Sequence, residues 1–163
     1  MKIIGIDPGF DRNGIAVIDR NGSKDALLFS MLVQTDKKQE MSERLAVVAV
    51  EIERILFEYK PDLLIMEQLF MSKNVTTVIG VAEARGVILA AAGKLGIPTR
   101  EIGPMQVKLA ITGYGKAEKS AVAMMVGKLI TLPDRKMVDD EMDAIAIALA
   151  GSAVFGHQYA SRK

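Results

Sequence analysis

Cysteine is absent from the 163-residue sequence, histidine occurs once, at His157, and aromatic residues make up only 5%. The first absence excludes disulfides and thiolate metal sites, and the second leaves little for zinc, which draws on Cys and His. Any metal here must be held by oxygen. No apolar run reaches the roughly 18 residues that a membrane span needs, and Gly5 and Asp7 interrupt the N-terminal apolar stretch too early for a signal peptide. The expected setting is cytoplasmic, away from membranes. No internal repeat, low-complexity segment or linker divides the chain, so one domain over residues 1–163 is expected.

The formal net charge is only +1, but it is unevenly distributed. Between Phe70 and Val138 ten basic residues stand against four acidic ones. A basic half beside a few placed acids suits a protein that grips a polyanion. Surplus lysine on solvated helices is the alternative reading of the same pattern.

What the chain does contain begins at Met1-Lys2-Ile3-Ile4-Gly5-Ile6-Asp7-Pro8-Gly9. This apolar run is bounded by Pro-Gly, which predicts a buried strand that delivers Asp7 to its own end. Asp7 there either caps the following turn or binds a cation, since an unpaired acid at a sheet edge costs desolvation. The runs Asn13–Ile18 and Ala26–Val33, joined through the turn signal Asn21-Gly22, complete three successive antiparallel strands. A helix from Ser42 to Tyr59 follows the 3.6-residue period. Leu63-Leu64-Ile65-Met66-Glu67 is then a strand parallel to the first, which brings Glu67 beside Asp7.

Val75 to about Leu95 reads as an Ala- and Val-rich helix closed by Gly96. Its Gly80, Gly86 and Gly93 predict a buried element in close approach to another helix, at a dimer contact. A short strand, Ile97–Ile102, precedes a helix opened by Pro104, the loop Thr112-Gly113-Tyr114-Gly115-Lys116 and a helix from Ser120 to Leu129. A last helix runs from about Asp139 towards Phe155. The class is α/β, a mixed sheet of three antiparallel strands and then parallel strands, flanked by helices.

The last helix opens Asp139-Asp140-Glu141-Met142-Asp143. Acids in a first turn favour the helix dipole, which alone would account for them. Asp140 and Asp143 also share a face that continues through Ile147 and Ala150, although Asp139, four residues from Asp143, meets the same face from the other side. Laid across the ends of the two strands, this helix would gather Asp7, Glu67 and two of its own acids. Like charges so close call for divalent ions, Mg²⁺ or Mn²⁺. Two ions about 3.5–4 Å apart would suit phosphodiester hydrolysis.

Six segments then resemble one family. They are Ile6-Asp7-Pro8-Gly9, Glu67-Gln68-Leu69-Phe70-Met71-Ser72-Lys73-Asn74, Ala84-Arg85-Gly86, Gln106-Val107-Lys108, Gly113–Ser120 and Asp140-Glu141-Met142-Asp143-Ala144-Ile145-Ala146. In this order they are similar to the RuvC family of Holliday junction resolvases. The resemblance implies an RNase H-like fold, a homodimer, and Mg²⁺-dependent paired nicking of four-way junction DNA in recombination and repair. It implies metal-binding, catalytic roles for Asp7, Glu67, Asp140 and Asp143, and the choice of Asp140 over Asp139 rests on it. Phe70 would stack on a base at the crossover, and Lys108 and Lys119 would lie near the scissile phosphate. Lys73, Arg85 and Lys116 would contact the DNA backbone. A branch-migration partner of the RuvA–RuvB kind is also implied. Tyr114 receives no role, and Arg162-Lys163 is less basic tail than some relatives carry. Other readings are an RNase H-like nuclease acting on RNA and a catalytically silent module for branched nucleic acid, which would be expected to lack one of the four acids. An actin-like ATPase, whose phosphate loop Asp7-Pro8-Gly9 also resembles, would need a second lobe.

Overall fold

The computed structural model describes residues 1–22, 24–69 and 75–160. Phe70 and Lys73, expected at the DNA, and Arg162-Lys163 lie outside them. The strands are β1 (Lys2–Asp7), β2 (Arg12–Asn21), β3 (Lys24–Gln34), β4 (Leu63–Glu67) and β5 (Thr99–Ile102), and the helices are α1 (Met41–Tyr59), α2 (Val75–Lys94), α3 (Pro104–Thr112), α4 (Lys119–Leu129) and α5 (Asp139–Ala160). They form one five-stranded sheet in the order β3-β2-β1-β4-β5. β1, β2 and β3 are antiparallel, while β4 and β5 run parallel to β1. The expected mixed sheet is therefore present, with element limits within a few residues of those read from the sequence.

The two-residue period of the strands sorts their side chains between two cores. Ile4, Ile6, Ile15, Val17, Leu64 and Met66 face α1 and α2. Ile3, Ala16, Ile18, Leu63 and Ile65 face α3, α4 and α5. The same alternation puts Asp7, two residues beyond Gly5 and four beyond Ile3, on the α5 side. It puts Glu67 there as well, two residues beyond Ile65. Both acids thus leave the sheet in one direction because their strands are short, in register and parallel.

Helix α5 lies against that face at unusually close range, and glycines permit it. A Cβ on Gly5 would meet the backbone of Ala144 and Ala148, and one on Gly14 would meet the backbone of Asp140. Gly151 in turn accepts the side chain of Ile65. Ala144, Ala148 and Gly151 form a stripe at i, i+4 and i+7, so the helix presents almost bare backbone to the strands.

Helix α2, expected to be a buried element, is buried on one face only. Val78, Ala84, Ile88, Ala91 and Ala92 are buried, but Val75, Ile79 and Leu89 are exposed. Gly80 makes room for the ring of Phe10, a loop residue, and among the described residues nothing lies within 4 Å of a Cβ placed on Gly86 or Gly93. The helical period turns the latter two away from the core. At 20 residues and a mean hydropathy of 1.6, α2 alone among the described helices is long and apolar enough to cross a membrane. Its buried face packs on α1 and the sheet, as the core helix of a domain does.

Candidate active site

Asp7 and Glu67 end neighbouring strands whose last paired residues are Ile6 and Met66. Asp143 reaches the same place from the first turns of α5. These three carboxylates line one cavity of about 210 Å³, together with Lys108, Lys119 and an apolar wall that includes Val107, Val122 and Ile147. Lys108 comes from α3 and Lys119 from the first residue of α4, so every helix on this face contributes.

The charges in the cavity act strongly on one another. Asp7 is pushed up from its ordinary 3.8 to about 7. Burial is the largest cause, followed by Glu67, Asp143 and Asp140, with Lys119 opposing. Glu67 is also raised, first by burial and then by Asp143, against Arg85 and Lys119. Lys119 Nζ donates to Asp143 Oδ2 at 2.7 Å and lies 3.6 Å from Asp139. That contact holds the ammonium above its usual range.

Asp140 is placed differently from the expectation of four acids around one volume. Its Oδ2 accepts from Arg12 Nε at 3.1 Å and Nη2 at 2.6 Å, and the guanidinium keeps the carboxyl below its usual range. It lines an adjoining cavity with Arg12, Lys119, Lys136 and Asp139. The Asp139 side chain is 84% exposed. Neither residue lines the cavity of the other three acids, though the charge of Asp140 is felt at Asp7.

Among the described residues no three acid or histidine side chains already converge closely enough to hold a metal ion. The donor set nevertheless fits one. It is all carboxylate oxygen, three members share a cavity, and burial and mutual repulsion hold two of them up, a strain that a divalent cation would relieve.

Arg85, expected at the DNA backbone, is enclosed within the chain. Its side chain is only 8% exposed, and it donates to the main-chain carbonyl of Glu67 and to the carboxylate of Glu101. The guanidinium ties α2 to the end of β4 and to β5, where a contact with the DNA backbone called for an exposed cation. Lys116 is exposed in the loop between α3 and α4, and Tyr114 beside it is 61% exposed.

Sequence reasoning missed several residues that hold the site. Arg44, buried in α1, donates to Thr35 Oγ1 at 3.0 Å, to the Phe10 carbonyl at 2.8 Å and to Asp11 Oδ1 at 2.6 Å. Its guanidinium also lies 4.2 Å from the Phe10 ring centroid. It thereby fixes the loop that leaves Asp7. Arg135 donates to both oxygens of Glu141, at 3.0 and 2.6 Å, and Glu141 Oε2 accepts from the Val138 N–H at 3.2 Å. That cluster fixes the start of α5. The only local signal was an acid three residues into a helix start, without the Ser or Thr that marks a capping box.

A mixed sheet in this order, with acids at the ends of its two central parallel strands met by a helix-borne acid, defines an RNase H-like nuclease. Residues 3–151 match the family model "Crossover junction endodeoxyribonuclease RuvC". The RuvC of Thermosipho melanesiensis is 45% identical over 148 residues, 91% of this chain and 94% of that protein. That of Carboxydothermus hydrogenoformans is 41% identical over 156 residues, 96% of this chain and 98% of that protein. The T. thermophilus RuvC solved in complex with a Holliday junction substrate superposes with a TM-score of 0.90 at 31% identity, covering 98% of this chain and 97% of that one. The chain belongs to the RuvC family of crossover junction endodeoxyribonucleases.

Proposed function

We propose that this chain resolves four-way DNA junctions in recombination and repair by Mg²⁺-dependent hydrolysis of phosphodiester bonds, as a homodimer of single-domain subunits in the cytoplasm. The observation that carries the chemistry is the shared cavity of Asp7, Glu67, Asp143, Lys108 and Lys119. Nucleases of this family are metal-dependent, and Mg²⁺ is our choice because it favours carboxylate oxygen, keeps waters and completes its shell on phosphate. When bound, Mg²⁺ supplies Lewis acidity and an activated water, with two ions per site expected and Mn²⁺ able to substitute.

Asp7, Glu67 and Asp143 would hold the ions, with Asp140 as a fourth ligand from the same helix. Lys108 and Lys119 enter from two other helices and would neutralise charge that develops on the phosphate in the transition state. The apolar wall of Val107, Val122 and Ile147 keeps that charge in a poorly screened setting, where each cation counts for more. Lys116 would contact the DNA backbone from its exposed loop. Phe70 stacking on a crossover base and Lys73 on the backbone remain part of the reading.

The apolar outer face of α2, with Val75, Ile79, Leu89 and the open positions at Gly86 and Gly93, suits a second copy of the chain. Two copies would set two cavities against two strands of like polarity. A RuvA–RuvB branch-migration complex would be the partner that delivers the junction.

Cleavage of a synthetic four-way junction beside a linear duplex of the same sequence, with Mg²⁺ and with EDTA, tests the proposal. Symmetric metal-dependent nicks in the junction alone are expected, and Asp143→Asn should bind the junction without cutting it. Cleavage of both DNAs alike, or binding without any cut by the parent protein, would refute the reading.

A further inference from the structure

Beside the acid cavity stands a cation with no part in the chemistry above. Arg12 opens β2 on the strand face that also carries Gly14, Ala16 and Ile18, and the backbone of Asp140 rests on Gly14. The guanidinium is therefore brought to Asp140 by the same close helix–sheet contact that positions α5. Both of its donors go to one oxygen, Oδ2. Its side chain is 43% exposed and that of Asp140 21%. Lys119 lines both the cavity of this pair and the cavity of Asp7, Glu67 and Asp143, so the two spaces adjoin.

Two demands meet at Asp140. An exposed guanidinium–carboxylate pair is weak, whereas a divalent ion beside several carboxylates gains from all of them at once. The ion should therefore win the shared oxygen. A guanidinium displaced there would stand at the mouth of a cavity built for a phosphodiester. Its planar two-donor fork matches a phosphate as well as it matches a carboxylate.

We propose that Arg12 is an exchangeable cation of the nuclease site, which neutralises Asp140 in competition with a divalent ion and, once displaced, donates to a backbone phosphate of the DNA strand in the cavity. This rests on the reading that the acids hold metal. It makes Arg12 both a brake on metal affinity and a contact that forms only in the loaded complex.

Binding of Mn²⁺ to the DNA-free protein, followed by the EPR signal of the unbound ion, separates the two readings. Arg12→Gln should bind Mn²⁺ roughly two- to five-fold more tightly than the parent. Lys136→Gln removes another exposed charge from the same adjoining cavity and should have a clearly smaller effect, because a general change of field is not a competition. If Asp7→Asn leaves Mn²⁺ binding as it is, the metal site itself has been misread. If Asp7→Asn weakens it while Arg12→Gln is no tighter than the parent, or no tighter than Lys136→Gln, the exchange is refuted and the metal site stands. Should Arg12→Gln not fold, Arg12→Ala, which also removes the competing charge, is read in the same way.

The second measurement is the salt dependence of four-way junction binding, with Ca²⁺ in place of Mg²⁺ and with EDTA. In Ca²⁺ the log–log slope for Arg12→Gln should be shallower than that of the parent by about one phosphate contact. In EDTA the two slopes should coincide. A slope loss in EDTA, or none in Ca²⁺, overturns the exchange.

Discussion

Replacing Asp7 with Asn should make the protein more stable while abolishing cleavage, and the gain can be worked from the cavity. Asp7 moves from its ordinary 3.8 to about 7 on folding. The folded state therefore holds a proton that the unfolded chain has released between those values, so stability falls as pH rises through that interval, is lowest above it and is unaffected below it. Each tenfold change in proton affinity is worth about 1.36 kcal/mol, which puts the full penalty above pH 7 at about 4 kcal/mol. Asparagine still buries an amide, and neighbouring groups relax around the charge, so about 2 kcal/mol is the expected gain. For a chain of this size that corresponds to a rise in Tm of about 4–8 °C. Urea unfolding in EDTA at pH 8, 6 and 4 measures it. The advantage of Asp7→Asn should be largest at pH 8, smaller at pH 6 and nearly gone at pH 4. Saturating Mg²⁺ should reverse the order at pH 8, because only the parent keeps the full ligand set. A variant no more stable than the parent at pH 8 in EDTA, or an advantage that grows on acidification, would show that Asp7 is not strained by its neighbours.

Lys119→Ala should lower kcat by about 10²-fold, the scale of losing one preorganised charge at a transition state, with the junction Kd changed only a few-fold; single-turnover cleavage and a gel-shift titration separate the two. Gly5→Ala should cost about 1–3 kcal/mol, because its Cβ meets the backbone of α5 rather than a flexible side chain, and the urea midpoint reports it. Arg85→Gln should cost about 1–3 kcal/mol through the unsatisfied Glu67 carbonyl and the lost ion pair and should lower kcat, yet leave the salt slope of junction binding unchanged; a slope reduced by about one would return Arg85 to the DNA.

The parts of the site that were legible in the sequence are those set by local rules. Asp7 and Glu67 announce themselves as acids at the ends of apolar runs, and a strand period of two fixes their common side once the strands are parallel. Asp143 follows from the three-residue spacing on a helix start. What stayed hidden depends on which side chains meet across long separations. Arg12 and Asp140 are 128 residues apart, and nothing in either segment favours that pairing over Asp140 facing the cavity. Arg85 sits in a motif beside Gly86 and reads as a surface cation until α2 is seen to bury it at the end of β4. Gly80, Gly86 and Gly93 look alike in sequence, but only the first has a neighbour, and that neighbour is a ring from the loop after β1. Small residues signal room, and they do not say for what.

The close seating of α5 has a geometric consequence for the enzyme. The sheet carries Asp7 and Glu67 on two hydrogen-bonded strands, so their spacing cannot change without breaking a ladder. Asp140 and Asp143 ride together on one helix, one turn apart. The active site is therefore a seam between two stiff pieces, and the contact that sets one against the other is the seating of α5 on the bare backbone at Gly5 and Gly14. Whatever alters that seating changes the position of both helix acids relative to both strand acids together, because neither pair can move within its own element.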